Sequence, residues 1–265
     1  KTFDKWKLVP VTAKKIFNCF DLCLTANKET FFHLQKLGAK NIFNPGNLKL
    51  TGKIDASKIT NASENILKKN RFWLAISTHP SEEALCLESH VLLKQKFKDL
   101  ITIIAPRHIE RIKQIELICK KRNLSTQILN ENEIILENKE VVLINSFGVL
   151  PKFLKFSKSV FIGKSTIKKL EKDGGQSPID AAKLGCRIYH GQYVYNFEEI
   201  YDLLKKHKIS FTINSASELA ENIEKDMISL TKDDNKFSNL MYKLEQDTLK
   251  NTMNKINSFL FNENR

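Results

Sequence analysis

Glycine and proline are scarce in this 265-residue chain, at 9 and 6, and neither forms runs, so collagen-like, proline-rich and low-complexity architectures are excluded. No stretch of about 18 apolar residues occurs, so nothing in the sequence spans a bilayer by itself. The five cysteines, Cys19, Cys23, Cys86, Cys119 and Cys186, show no paired spacing and read as reduced cytosolic thiols without a zinc site. Cys19 and Cys23 are expected in a buried segment running from Phe20 to Leu24. Three ligand signatures are missing as well. Gly163-Lys164-Ser165-Thr166 mimics the end of a Walker A motif, but the spacing requires glycine at 158, where Lys158 stands. No GxGxxG follows the first expected strand of the main domain, so NAD binding has no support. His79, His108, Glu82 and Glu83 lie on separate loops without HExxH spacing, and no metal is assigned.

What is present is a globular composition, 42% hydrophobic and 28% charged, long enough for one large or two ordinary domains. Lysine and arginine number 43 against 30 acidic residues, a net charge of +13 that favours nucleic acid, anionic lipid or phosphorylated substrates. Seven lysines fall between Lys152 and Lys172, interleaved with Phe153, Phe156 and Phe161. Such a mixture could bind single-stranded nucleic acid by stacking, yet such surfaces tend to use arginine and these phenylalanines precede or enter an expected strand, so a solvated face on a lysine-rich protein is the preferred reading. The chain opens on Lys1 rather than methionine and is expected to be a fragment or a split gene product.

From Arg71 onward, apolar runs of strand length alternate with amphipathic runs of helix length, the pattern of a doubly wound parallel sheet with helices on both faces. Strands are expected at Phe72–Ser77, Ile101–Ala105, Ser125–Leu129, Val141–Ile144, Val160–Ile162, Arg187–Tyr189 and Phe211–Ile213. Helices are expected at Glu82–Phe97, Ile109–Lys121, Pro178–Leu184, Phe197–Lys206 and from Ser217. Residues 1–52 read as the end of a second such unit, 53–70 as a linker, 71–230 as the main domain, and 231–265 as a helix that returns to the first. In that helix Leu240, Met241, Leu244, Leu249, Met253 and Ile256 recur at helical spacing and call for a surface to pack on.

Ligands of open parallel sheets bind beyond the carboxyl ends of the strands, and there the sequence is consistently polar. The first strand runs into Ser77-Thr78-His79-Pro80-Ser81-Glu82-Glu83, the second into Pro106-Arg107-His108, the fourth into Asn145-Ser146-Phe147-Gly148 and the fifth into Gly163-Lys164-Ser165. A fifth segment, Asp173-Gly174-Gly175-Gln176-Ser177-Pro178-Ile179-Asp180, joins a glycine pair to a helix start. Ser177 is read as N-cap, Pro178 as the first helical residue and Asp180 as the third. The glycines let the backbone approach a ligand, and the helix start favours phosphate. Each loop alone has a bland explanation as a cap or surface turn; five together argue for one crevice.

In this order the same loops resemble those of the 3-deoxy-D-manno-octulosonic acid (Kdo) transferase family. The resemblance rests on Ser77-Thr78-His79-Pro80-Ser81-Glu82-Glu83, Ala105-Pro106-Arg107-His108, Phe161-Ile162-Gly163-Lys164-Ser165, Gly174-Gly175-Gln176-Ser177-Pro178-Ile179-Asp180 and Asn196-Phe197-Glu198-Glu199. Upstream, Phe20-Asp21-Leu22-Cys23-Leu24-Thr25-Ala26 and Gly46-Asn47-Leu48-Lys49 add to it. It implies a GT-B glycosyltransferase with two Rossmann-like domains, most of this chain being the C-terminal, donor-binding one. The donor would be CMP-Kdo, with no further cofactor. The acceptor would be a phosphorylated lipid A precursor at the cytoplasmic face of the bacterial inner membrane, and no nucleic-acid partner is expected.

By the same resemblance, Ser77, Thr78, His79, Pro106, Arg107, His108, Phe147, Gly148, Val149, Gly163, Lys164, Ser165 and the run Gly174 to Asp180 are expected to line the nucleotide site. Lys49 would stabilise charge on the departing CMP. Ser177, Asp180 and Val149 stand where the family commonly has asparagine, glutamate and glutamate. The family's general base lies upstream of Lys1, so transfer by this chain alone is not expected. A GT-B transferase of another nucleotide sugar and a noncatalytic basic nucleic-acid-binding module are the alternatives.

Overall fold

The computed structural model describes residues 2–52, 54–55, 60–228 and 234–262. They form two compact units, one made of Lys1–Lys53 with Asn239–Arg265, the other of Ile54–Ser238.

The smaller unit begins with α1 (Thr2–Lys7), α2 (Pro10–Phe17), β1 (Cys23–Leu24), α3 (Lys28–Lys36) and β2 (Ile42–Phe43), the two strands pairing in parallel. Proline at the first position of α2 costs no hydrogen bond, and Asn27 caps α3 by accepting from the Thr30 amide at 2.7 Å. Cys23 is buried, but Cys19 and Phe20 are exposed, which corrects the expectation of a buried segment from Phe20. The strand is short because only Cys23 and Leu24 find a pairing partner.

In the larger unit, α4 (Glu64–Lys69) comes first, followed by β3 (Phe72–Thr78), α5 (Glu82–Lys96), β4 (Ile101–Pro106), α6 (Ile112–Lys120), β5 (Thr126–Leu129) and β6 (Val141–Ile144). Then come α7 (Leu150–Leu154), β7 (Ser159–Ile162), α8 (Ile179–Lys183), β8 (Arg187–His190), α9 (Glu198–Lys206), β9 (Ser210–Thr212) and α10 (Ala216–Ile228). Helix α4 falls where the sequence reads as linker. Its polar composition hides it, but Leu67 is buried and the buried Ser63 hydroxyl accepts a hydrogen bond from the Ile135 amide at 2.8 Å. Residues 53 and 56–59, also read as linker, and the boundary expected at 230/231 lie outside the described residues.

All seven strands are parallel, in the order β5-β6-β4-β3-β7-β8-β9. The chain starts in the middle at β3, adds β4 beside it and β5 at the edge, inserts β6 between them, then crosses to the other side of β3 at β7. The switch point therefore lies between β3 and β7. Both faces are covered, so the central strands read as unbroken apolar runs: Phe72 to Ile76, Ile101 to Ala105, Val141 to Ile144 and Val160 to Ile162 are all buried. One face packs Trp73, Ala75, Ile104, Leu143, Phe161 and Tyr189 against Leu87, Leu93, Leu219 and Ile223 of α5 and α10. Truncating a fully buried residue here, such as Ile104 to alanine, costs about 2–5 kcal/mol. Helix α9 shows the complementary logic, with Ile200, Tyr201 and Leu204 buried on one face, glutamates in the first turn and lysines in the last.

The final helix, α11 (Asp234–Asn262), follows, and from Asn239 it belongs to the smaller unit. Its buried stripe is Met241, Glu245, Thr248 and Thr252, whereas Leu249 and Met253 are exposed. The apolar spacing read from the sequence thus found Met241, but farther along the helix Thr248 and Thr252 face inward in place of Leu249 and Met253. Gly46 explains the choice of threonine, since an added Cβ there would lie 3.1 Å from Thr248 Oγ1.

Candidate nucleotide site at the switch point

Register brings the strand ends level: Ile76 pairs with Ala105 and Ile162, Ile104 with Leu143, and Ile162 with His190. The loops after β6, β4, β3, β7 and β8 consequently share one rim. A bulge at Ser77, between the pairs made by Ile76 and Thr78, turns the end of β3, and Ser77 itself has φ +54°. Ser81 at +83° and Lys164 at +59° are also left-handed. For residues with a Cβ that conformation costs roughly 1–2 kcal/mol each, and three of them collect beside the β3–β7 switch.

Glu82 holds this strained arrangement. Its side chain is buried and accepts from the amides of His79 at 2.9 Å, Lys164 at 2.7 Å, Ser165 at 2.9 Å and Thr166 at 3.1 Å, and from the Thr166 hydroxyl at 3.0 Å. The amides after β7 thus form an anion nest whose anion is the chain's own carboxylate. Gly163 is required there, because a Cβ would come within 2.6 Å of Glu82 Oε2 and of the Ser77 carbonyl. Glu83, equally buried, forms a two-pronged pair with Arg111, at 2.8 and 3.1 Å, which fixes the segment after β4. In the sequence these two glutamates looked at most like metal ligands; their tethering role needs the register of β3 against β7. Among the described residues no three histidine, cysteine or acidic side chains gather as metal ligands would.

The remaining rim residues stand as follows. Arg107 is exposed, and its amide donates to the Thr78 carbonyl at 3.0 Å. Pro106 ends β4 and is buried. His79 and His108 meet edge to face with centroids 5.6 Å apart. Burial, with help from His108 and Lys164, holds His79 below the usual histidine range and therefore largely neutral at pH 7. Phe147 is exposed and Gly148 open on all sides, with Val149 between exposed and buried, so the loop after β6 offers a bare aromatic face. Thr78 is fully buried with an unpartnered hydroxyl. Ser165, also buried, donates to the Ile162 carbonyl and accepts from the Gly191 amide at 2.9 Å. A cavity of about 330 Å³ opens here between Ser81, Thr166, Gln192, Tyr193 and Asn214. A larger one, about 560 Å³, lies at the amino ends of β4, β5 and β6 beside Lys98 and Lys139, the wrong end of a parallel sheet for the expected ligand.

The glycine pair differs from expectation. A Cβ on Gly174 would sit 2.3 Å from the Tyr193 carbonyl, and one on Gly175, where φ is +89°, would crowd Val194 at 3.0 Å. Their bareness is consumed by the chain's own backbone rather than held open for a ligand. Gly175 N donates to the Lys164 carbonyl at 2.7 Å, and the Tyr201 hydroxyl donates to the Gln176 carbonyl at 3.0 Å. The buried ring of His190 lies tilted against Tyr201 with centroids 4.3 Å apart, and burial brings its pKa down to about 4. The helix start is also shifted: Pro178 is the cap, Ile179 the first helical residue and Asp180 the second. Ser177 Oγ accepts from the Ile179 amide only at 3.4 Å. Five residues make little more than one turn, so α8 contributes less to phosphate attraction than its sequence implies. Asp180 remains exposed. Lys49 is exposed on the 3-10 turn Leu48–Thr51 of the smaller unit.

No family model matches the chain. Curated relatives do. The 3-deoxy-D-manno-octulosonic acid transferase of Haemophilus influenzae is 27% identical over 206 residues, covering 74% of this chain and 47% of its own. The enzymes of the same name from Rickettsia bellii and Aquifex aeolicus are 27% and 24% identical over 84% and 81% of this chain. The chain is similar in sequence to the Kdo transferases. It spans about half the length of those relatives, 47%, 53% and 56%. Among solved structures, the C-terminal CMP-Kdo binding domain of WaaA from Acinetobacter baumannii matches with a TM-score of 0.57 and 21% identity, over 74% of this chain and 95% of that one. Anabaena Alr3699/HepE, solved with UDP and glucose, matches at 0.53 and 14% over 94% of this chain and 66% of its own. The fold is α/β of the GT-B type.

The interleaved phenylalanines of the lysine-rich stretch can be placed too. Phe153 and Phe161 are buried in the core and present no stacking surface beside the lysines, whereas Phe156 is half-buried with Lys155 Nζ 5.4 Å from its ring centroid.

Proposed function

We propose that this chain carries the donor-binding part of a Kdo transferase, holding CMP-Kdo at the β3–β7 rim for transfer of Kdo to a lipid A precursor in lipopolysaccharide synthesis. The observation that supports it best is the gathering of Arg107, His79, His108 and Lys164 on loops at one switch point, in a chain related to Kdo transferases. Arg107 is suited to a phosphate oxygen, because its guanidinium is exposed and always charged. Phe147 supplies a face on which a pyrimidine can stack, and Asp180 an exposed carboxylate for the ribose hydroxyls.

As the bond from Kdo to the phosphate breaks, negative charge grows on CMP; cations on the rim loops that engage that phosphate lower the barrier. The family resemblance adds Lys49 as a second candidate for offsetting charge on the departing CMP. The reaction needs no metal when side chains neutralise the leaving group. The excess of 43 basic over 30 acidic residues suits an anionic membrane surface, and the assigned location is the cytoplasmic face of the inner membrane. Thermal melting with CMP, UDP and cytidine tests the nucleotide: CMP raises the midpoint and UDP does not. A larger rise with UDP would assign the chain to another sugar nucleotide.

A further inference from the structure

Lys164 occupies a backbone position that suits glycine, and the bonds that hold it there do not involve its side chain. Its φ is +59°. The amide donates to Glu82 Oε2 at 2.7 Å and the carbonyl accepts from the Gly175 amide at 2.7 Å. Glycine would make both bonds without steric cost. The lysine side chain is 17% exposed, and its ammonium lies 3.7 Å from Asp173 Oδ1, whose side chain is 44% exposed. An ion pair this long and this wet adds little stability and does not account for the strain. Strained residues persist where their side chains are used.

The surroundings say what the side chain is used for. Glu82 Oε2 joins the amides of Lys164 and His79, so the two residues are anchored to one atom. Lys164 and His108 both act electrostatically on His79. Arg107 is tied through its amide to Thr78, the neighbour of His79. Two rim carboxylates are committed, Glu82 to four amides and a hydroxyl and Glu83 to Arg111. The Lys164–Asp173 pair, at 3.7 Å, is long by comparison.

We propose that Lys164 exchanges ion-pair partners: its ammonium leaves Asp173 for a phosphate oxygen of the nucleotide, so that the site favours phosphorylated donor over bare nucleoside. One ion pair breaks and another forms; no proton or electron moves. The proposal rests on the nucleotide reading of this rim.

The test compares the full chain with Lys164→Gly, Lys164→Met and Asp173→Asn, measuring melting midpoints and calorimetric affinities for CMP and cytidine. Removing the strain in Lys164→Gly raises the midpoint by about 2–4 °C, and Lys164→Met, which keeps it, leaves the midpoint near the parent's. Both weaken CMP about 10-fold and leave cytidine unchanged. Asp173→Asn, freeing the ammonium, tightens CMP by roughly 3-fold. Parent-like CMP affinity in both lysine variants would overturn the proposal while sparing the nucleotide site; so would a lowered midpoint in Lys164→Gly, which marks a structural tether. A parent chain that binds neither ligand at millimolar concentration would instead remove the nucleotide reading, and the proposal with it.

Discussion

The carboxylate of Glu82 accepts the amide of Lys164 at 2.7 Å, joining residues 82 apart in the chain across the gap between β3 and β7. This one group closes the switch point from inside. Replacing it by glutamine keeps the size but turns one acceptor into a donor facing amide hydrogens. Glu82→Gln is expected to destabilise the larger unit by about 3 kcal/mol, read as a lowered urea midpoint, and to abolish CMP binding. Full stability in that variant would mean the four amides find other partners.

Gly163 gives a sharper steric test, since its absent Cβ leaves room for Glu82 Oε2, the Ser77 carbonyl and Thr78 Cα, all at 2.6 Å. Gly163→Ala is expected to lose at least about 2 kcal/mol, because two of these neighbours are main chain and cannot rotate away. Gly148→Ala meets nothing within 4 Å, so its cost is confined to a φ of +76° and should stay near 1 kcal/mol. Chemical denaturation of the two variants side by side checks the ranking.

Arg107 is exposed, and its amide donates to the Thr78 carbonyl at 3.0 Å. Arg107→Ala should therefore leave stability within about 0.5 kcal/mol of the parent. Its CMP affinity should fall by about 10-fold or more, with weaker salt dependence. Calorimetry at two salt concentrations reads both effects, and cytidine binding is the control that should not move.

Acid should weaken the fold through two buried imidazoles. Burial lowers His90, bonded to Thr102 Oγ1 at 2.8 Å, and His190 from 6.5 to about 4. Below pH 6.5 the unfolded chain takes up a proton at each, while the native state refuses it until about pH 4. Stability therefore falls as pH drops through that window, by about 3 kcal/mol per histidine. Urea midpoints from pH 7 to 4.5 measure the slope, and His190→Gln should remove about half of it. A parent profile flat over this range would show that the rings are solvated.

Much of the sheet was legible because parallel strands buried on both faces leave apolar runs that need no partner information to find: Val141–Ile144 is read to the residue, and β3 and β4 to within one. The rim loops were legible as polar punctuation after those runs. Helix α4 was not, since four of its six residues are polar and Leu67 alone is buried. Nor was the face of α11, where threonines pack inward and Leu249 outward. The site's internal bracing was hidden for a different reason. Glu82 looks like an ordinary first-turn glutamate, and the glycine pair like a ligand cradle. Only the approach of Lys164 to one and of Tyr193 to the other gives them structural work.

Backbone amide mapping on isotope-labelled protein, titrated with CMP, tests the central claim most directly. The account predicts shift changes centred on residues 77–79, 106–108, 147–149, 163–165 and 174–180. Changes confined to the amino-end cavity around Lys98 and Lys139, or none at saturating nucleotide, would contradict it.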